Sequence, residues 1–273
     1  MDFLRLNPPA SLRTQRLLSR RSAAAMATCL GLLAMTGCAD PVASADAELE
    51  TDAPASLQRE SAEVREPTHA CTVSRDPDAI VAGTALGDCI ATAMIAAGTG
   101  VMVLEGPDME TTTTQYQFRP RLTVVVGNDT MRMVVTDSSG WARGPDGRWL
   151  QEDGSSSNPA VKMATATLKG LRATMQPAAI AGGYGVCPEW VSEGLGSVEG
   201  EEFSEYQAFA FRCAAPYQLA GITVTRLKIW VDSTFLPIKA ISSSQSPILD
   251  SSTVSHFSAW GEPIDIPDIA TAP

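Results

Sequence analysis

The clearest pattern in the chain lies near its end, between Arg226 and Pro267. Leu227, Ile229 and Val231 alternate there with Arg226, Lys228 and Trp230. A period of two predicts a strand with one face in the core and one toward water. Asp232-Ser233-Thr234 predicts a turn, Leu236–Ile241 a returning strand, and a Ser-rich connection leads to a third strand ending in Phe257–Pro263. Upstream, Leu86, Ile90 and Met94 recur every four residues before Gly98, which predicts a helix over Ala85–Ala97 with a glycine cap. Short strands follow at Val101–Leu104, Thr111–Phe118, Leu122–Val126 and Met131–Val135, and Trp141 and Trp149 flank a Gly144–Gly147 turn.

The period then lengthens. Asn158 and Pro159 are an N-cap and a first helical residue, and Val161, Ala164, Leu168, Leu171 and Met175 form a helical stripe. Pro177 closes that helix, Ala178–Gly185 reads as a mobile small-residue segment, and Pro188–Glu193 as one more helical turn. Strands resume at Leu195–Val198 and Phe203–Cys213. The order is helix, strands, helical insertion, strands. It predicts an α+β domain with helices on one face of an antiparallel sheet.

The start of the chain is of another kind. Arg13, Arg16, Arg20 and Arg21 precede a short apolar run over Ser22–Met35, too short to span a bilayer as a finished helix, so residues 1–37 are expected to be a signal peptide. The following Cys38, after Thr36-Gly37, resembles a bacterial lipoprotein signal. That resemblance implies lipidation of Cys38 by diacylglycerol and a further acyl chain such as palmitate. Residues 38–70 lack aromatic residues and are rich in Ala, Asp, Glu, Ser and Pro, the composition of a disordered acidic tether. Residues 71–273 are expected to form a single domain.

The formal charge is −11, and it becomes −15 once residues 1–37 leave with five arginines and one aspartate. That balance opposes nucleic acid, whose binding depends on cationic contacts to phosphate. Export places Cys71, Cys89, Cys187 and Cys213 in an oxidising compartment, where two disulfides are the expectation. Three pairings are open; Cys71–Cys89 and Cys187–Cys213 are favoured because each joins nearby segments. No paired short cysteine spacing suggests a metal.

The inventory for catalysis is thin. The histidines are His69, beside the tether, and His256, in a strand. Gly196–Gly200 does not match a nucleophile elbow, and no glycine loop precedes a phosphate-binding lysine. Glu199, Glu201, Glu202 and Glu205 read as a solvated strand edge. No catalytic residue, metal or cofactor is therefore expected. A binding function rests instead on apolar residues: Met131, Met133, Val135, Leu227, Ile229, Val231 and Ile238 from the sheet, and Leu168, Leu171 and Met175 from the helix. Lys162, Lys169 or Arg172 would meet an anionic head group at the mouth.

Trp230-Val231-Asp232, Leu236–Lys239 and Phe257–Ile264 together resemble the C-terminal signature of exported actinobacterial lipoproteins of the LppX/LprG type, and Trp141–Trp149 fits the same pattern. That resemblance covers most of residues 80–267. It implies the LolA/RseB-like half-barrel, a curved antiparallel sheet wrapped over helices around an apolar cavity for acyl chains. The expected protein is extracytoplasmic and anchored to the cell membrane through its N-terminal acyl chains. It would bind a lipid or lipoglycan for carriage or sensing. The alternative is a regulatory module that docks an envelope protein without bulk ligand, through an exposed patch around Trp190.

Overall fold

The computed structural model describes residues 71–267 and 269, apart from 108, 145, 199–206, 220 and 247–249. The signal, Cys38, the tether, His69 and the four strand-edge glutamates all lie outside the described residues.

The strands are β1 (Ile80–Ala82), β2 (Thr99–Gly106), β3 (Met109–Gln117), β4 (Thr123–Gly127), β5 (Arg132–Thr136), β6 (Gly140–Arg143), β7 (Trp149–Gln151), β8 (Glu189–Ser197), β9 (Gln207–Cys213), β10 (Tyr217–Leu219), β11 (Ile222–Val231), β12 (Pro237–Gln245) and β13 (Asp250–Ser258). The helices are α1 (Gly83–Ala97), α2 (Pro159–Thr174) and α3 (Pro177–Gly185). All thirteen strands join one sheet in the order β1-β8-β9-β11-β12-β13-β2-β3-β4-β5-β6-β7, with β10 beside β11. Every pairing is antiparallel.

This corrects the expected α+β class: of the described residues, 46% are strand and 22% helix, mostly in one large antiparallel sheet that is curved and does not close. The main reason is the segment after α3. Pro188–Glu193 is not a helical turn but the start of β8. Its period-two signal is masked because Ser192 and Gly194 take buried positions beside Trp190, while Val191 lies on the other face, half-exposed. The Ser-rich connection is also strand. Ser243 pairs with Ser252 and Ser244 with Ser251 across β12 and β13, with hydroxyls 3.2 and 2.8 Å apart. The striped helix does end before Pro177, at Thr174, but Pro177 then opens α3 at the first-turn position, where a missing N–H costs nothing.

Other expectations hold. Gly98 caps α1 with φ +83°, and its N–H donates to the Met94 carbonyl at 3.1 Å. Asn158 accepts from the Ala160 N–H at 2.9 Å to start α2. Cys71–Cys89 and Cys187–Cys213 are bonded, with Cα atoms 5.5 and 6.0 Å apart. Disulfides belong to an oxidising compartment, so the described part is extracytoplasmic. Among the described residues no helix is long and apolar enough to cross a membrane.

The main core lies on one face of the sheet. Leu86, Ile90 and Met94 of α1 and Leu168 and Leu171 of α2 meet Tyr116, Val124, Val135, Phe211, Leu227, Ile229 and Val231. The other face is not simply wet. Trp230 is 1% exposed there and clusters with Val198, Ala208 and Ala210. Ile238 packs against this second cluster. Its expected place on the helix-side wall is therefore wrong. The β11–β12 register pairs Trp230 with Lys239 and Val231 with Pro237, which turns Ile238 away from Ile229 and Val231.

Candidate functional site

Three hollows mark the described surface. A groove of about 650 Å³ runs beside α1, between Val73, Ala85, Ala93 and Leu236. A second, of about 360 Å³, opens beside β11 at Arg212, Arg226, Lys228 and Glu193. Its charges already meet: Glu193 lies 2.7 Å from Lys228 and 3.3 Å from Arg212. The third is smaller, about 120 Å³, but is the one between sheet and helices. Its lining carries no charged side chain.

The third cavity is built by all three helices. Met94 of α1 and Thr174 and Met175 at the end of α2 form its sides. Met102 and Leu104 of β2, Tyr116 of β3, Leu227 of β11, Ala240 of β12 and Ser255 and Phe257 of β13 form its floor. The roof is α3, through Ala179, Ile180, Gly183 and Tyr184. The register explains the floor. Ala240 pairs with Ser255 and Ser255 with Leu104, so these three side chains form one row across β12, β13 and β2.

The roof is unusual. The sequence of α3 is PAAIAGGYG, apolar on every side, yet it contains no buried residue. A helix apolar all round is normally buried in a core. Here glycine allows a very close approach to α1 instead: a Cβ on Gly87 would lie 2.1 Å from the Ala181 carbonyl oxygen, and one on Gly83 would lie 1.9 Å from that of Cys187. The far end of α3 is held by the Trp190 indole, which donates to the Tyr184 carbonyl at 3.1 Å, and by the Cys187–Cys213 bridge just beyond it.

Aromatic packing fixes Tyr116. Its ring lies 5.3 Å from Phe118 and 5.7 Å from Trp260, and Trp260 stacks on Phe257. The Trp260 N–H donates to the Pro237 carbonyl at 2.9 Å. Gly100 makes room, since a Cβ there would lie 2.7 Å from Trp260 and 2.8 Å from Tyr116. Burial, with Tyr184 nearby, pushes the Tyr116 phenol well above its ordinary pKa, and burial does the same to Tyr184. Both therefore stay protonated as donors.

Of the residues the sequence singled out, Leu227 and Met175 line the cavity. Met133, Val135, Leu168, Leu171, Ile229 and Val231 are buried in the same core but fill it, and Met131 is half-buried at its edge. Lys162 and Lys169 are exposed, and no cation stands at the mouth among the lining residues. Arg172 instead makes two bonds to the Glu152 carboxylate and donates to the Thr136 carbonyl at 2.7 Å. Trp190 is fully buried, so it forms no exposed docking patch. His256 lies in β13 opposite Lys239 and Val103 and is not in the lining. Among the described residues no group of His, Cys, Asp and Glu could hold a metal.

The sequence reading missed Tyr116, Ser255, Phe257 and the residues of α3 as lining. For Tyr116 a signal existed: its alternation with Thr112 and Thr114 marks the inward face of β3. For α3 no stripe existed to find.

No family model matches the sequence, and no curated protein sequence matches it. Among solved structures, a DUF1329 family protein from Desulfovibrio piger is 10% identical, with 69% of this chain and 96% of that chain covered and a TM-score of 0.27. A putative outer membrane lipoprotein-sorting protein domain from Vibrio parahaemolyticus is 11% identical, with 64% and 92% covered and a TM-score of 0.26. Superpositions this loose establish neither a shared fold nor a function, and the LppX/LprG resemblance finds no match at the level of sequence.

Proposed function

We propose that this is an extracytoplasmic binding protein that takes the apolar part of a lipid or other amphipathic molecule beneath α3. In this reading residues 1–37 are removed, Cys38 carries the acyl anchor, residues 38–70 are the tether, and residues 71–273 are one binding domain. The carrying observation is an uncharged cavity roofed by an apolar, glycine-containing helix with no buried residue. Its own core contacts are those of Ile180 and Tyr184, both of which also line the cavity, so the energy of lifting the roof falls on few side chains.

The volume sets the terms. About 120 Å³ is roughly four water volumes at ~30 Å³ each, below the ~300–1,000 Å³ of ordinary ligand pockets. At that volume the cavity admits the end of a chain, not a whole acyl chain. Four methylenes buried there contribute roughly 3 kcal/mol at ~0.8 kcal/mol each. Uptake of a whole chain therefore requires α3 to lift from the floor.

Native mass spectrometry of the full-length protein, extracted gently from membranes, tests the reading. The expected result is a co-purifying lipid that is lost when an engineered crosslink between α3 and the sheet, separate from the existing Cys187–Cys213 bridge, holds the roof down. Protein that is free of lipid and takes up no short-chain acyl dye in either form overturns it.

A further inference from the structure

On the floor of the cavity and beside it are polar groups with nothing to bind, Tyr116 in the lining and Ser242 and Thr253 outside it. The Tyr116 hydroxyl is buried and has no hydrogen-bond partner, and Tyr116 is 2% exposed. Ser242 and Thr253 are paired across β12 and β13, and their hydroxyls are likewise buried and unpartnered. Leu227, a lining residue, pairs with Ser242, so this pair lies on the same face. It sits two residues along the strands from Ala240 and Ser255, which are in the lining.

A buried hydroxyl without a partner costs about 1–3 kcal/mol, and native proteins carry few of them. Water is a poor remedy. A buried water needs two to four polar partners, whereas the lining here is mainly Met, Leu, Ala, Ile and aromatic carbon. The Thr174 hydroxyl is already used, donating to the Leu171 carbonyl at 3.0 Å.

From this we infer that the cavity selects a neutral oxygen-bearing apolar ligand, a ketone or ester, whose oxygen accepts from Tyr116. This rests on the proposed function and names its ligand class. The unpartnered Tyr116 donor calls for an acceptor. The absence of any charged side chain in the lining makes a carboxylate or phosphate costly, since a buried anion needs a counter-charge or several donors. Burial keeps the phenol protonated, so the preference is independent of pH across the neutral range.

The test uses three probes of similar shape, 2-heptanone, heptane and heptanoate at pH 8, on the wild-type protein and on Tyr116→Phe. Binding is read from the methyl resonances of Met94, Met102 and Met175, which line the cavity. The ketone carbonyl stretch is recorded in parallel. Wild type is expected to prefer 2-heptanone over heptane by about tenfold, the equivalent of one satisfied buried hydrogen bond, and to lower its carbonyl frequency. Tyr116→Phe, which removes an unpartnered hydroxyl and so keeps its fold, is expected to bring the ratio to about one without weakening heptane. Heptanoate is expected to bind less tightly than either. Equal binding of ketone and heptane by wild type, a ketone preference that survives in Tyr116→Phe, or tightest binding of heptanoate overturns the ligand class and leaves the binding function standing. No methionine shift with any probe overturns both.

Discussion

Gly87 and Gly183 offer a matched pair of substitutions that reads the α1–α3 contact directly. Both lie in helices, and both change to alanine with the same intrinsic gain, about 0.5–1 kcal/mol from reduced backbone freedom. What the new methyl meets differs. At Gly183 nothing lies within 4 Å. At Gly87 the Cβ would sit 2.1 Å from the Ala181 carbonyl oxygen and 3.0 Å from its carbon. Ordinary contact begins near 3.4 Å, so the two helices must part by more than about 1 Å, and the obstacle is backbone that cannot rotate away. Overpacking of that kind costs typically about 1–3 kcal/mol. Gly183→Ala is therefore expected to stabilise by about 0.5–1 kcal/mol and Gly87→Ala to destabilise by about 1–2 kcal/mol. The gap between them is roughly 1.5–3 kcal/mol.

Urea unfolding with both disulfides intact measures that gap, and for a domain of this size it corresponds to about 3–12 °C in Tm. The same variants report on the roof. Gly87→Ala pushes α3 off α1 and is expected to raise uptake of an acyl dye; Gly183→Ala stiffens α3 and is expected to lower it. Equal stability shifts in the two variants would refute the close packing. A large stability gap with unchanged dye uptake would refute α3 as the roof while leaving the packing intact.

Four further outcomes follow from specific contacts. Arg172→Ala leaves the Glu152 carboxylate and the Thr136 carbonyl without their donor, and is expected to cost about 2–4 kcal/mol in urea unfolding. Hydrogen bonding to Arg172 holds the Glu152 carboxyl below its ordinary pKa, so its stabilisation is present above the unfolded carboxylate value and is lost as pH falls through the folded one; Glu152→Gln is expected to flatten that acid limb of a stability–pH curve. Removing the Cys187–Cys213 bridge by a double Ser substitution is expected to cost about 3 kcal/mol, given the separation of 26 residues, and to raise dye uptake because the bridge pins the chain just after α3. Ile238→Ser is expected to leave dye binding unchanged, since Ile238 belongs to the opposite face, whereas Met102→Ser is expected to abolish it.

How much of this was legible from residues alone depended on whether pattern and burial agree. Leu86, Ile90 and Met94 carry a stripe and a glycine stop, and α1 is where they place it. Leu227, Ile229 and Val231 alternate, and they do face the helices. The same alternation misled on the other side of β11, because Trp230 was assigned to water and is buried in a second cluster. The first half of β8 was lost because its buried positions hold Ser192 and Gly194, which carry no hydrophobic signal, while Leu195–Ser197 fell in an expected strand. β1 and β10 have three residues each, too few to show any period. α3 has no polar face, so it offered no helical stripe and read as a mobile loop. The cavity itself was not readable. A gap of about 120 Å³ is a matter of how α3 sits on α1, and that is set by two glycines whose meaning emerges only in three dimensions.

The hydroxyl-rich strands carry the same lesson to the ligand. Thr112, Thr114, Ser242, Thr253 and Ser255 all lie at buried positions, where an ordinary sheet would place Val or Ile. In sequence the serines near Ser242 look like a loop, whereas Thr112 and Thr114 fall in an expected strand. In the sheet, β12 and β13 pair Ser242 with Thr253 and Ala240 with Ser255, inward beside Leu227. Valine at these positions would pack at least as well, and it would remove the cost of the buried Ser242 and Thr253 hydroxyls. A stability requirement alone does not explain hydroxyls there. A ligand with its own acceptors does, because each unpartnered donor then becomes a binding group, and the cost carried by the empty protein becomes discrimination in favour of an oxygen-bearing molecule over a plain hydrocarbon.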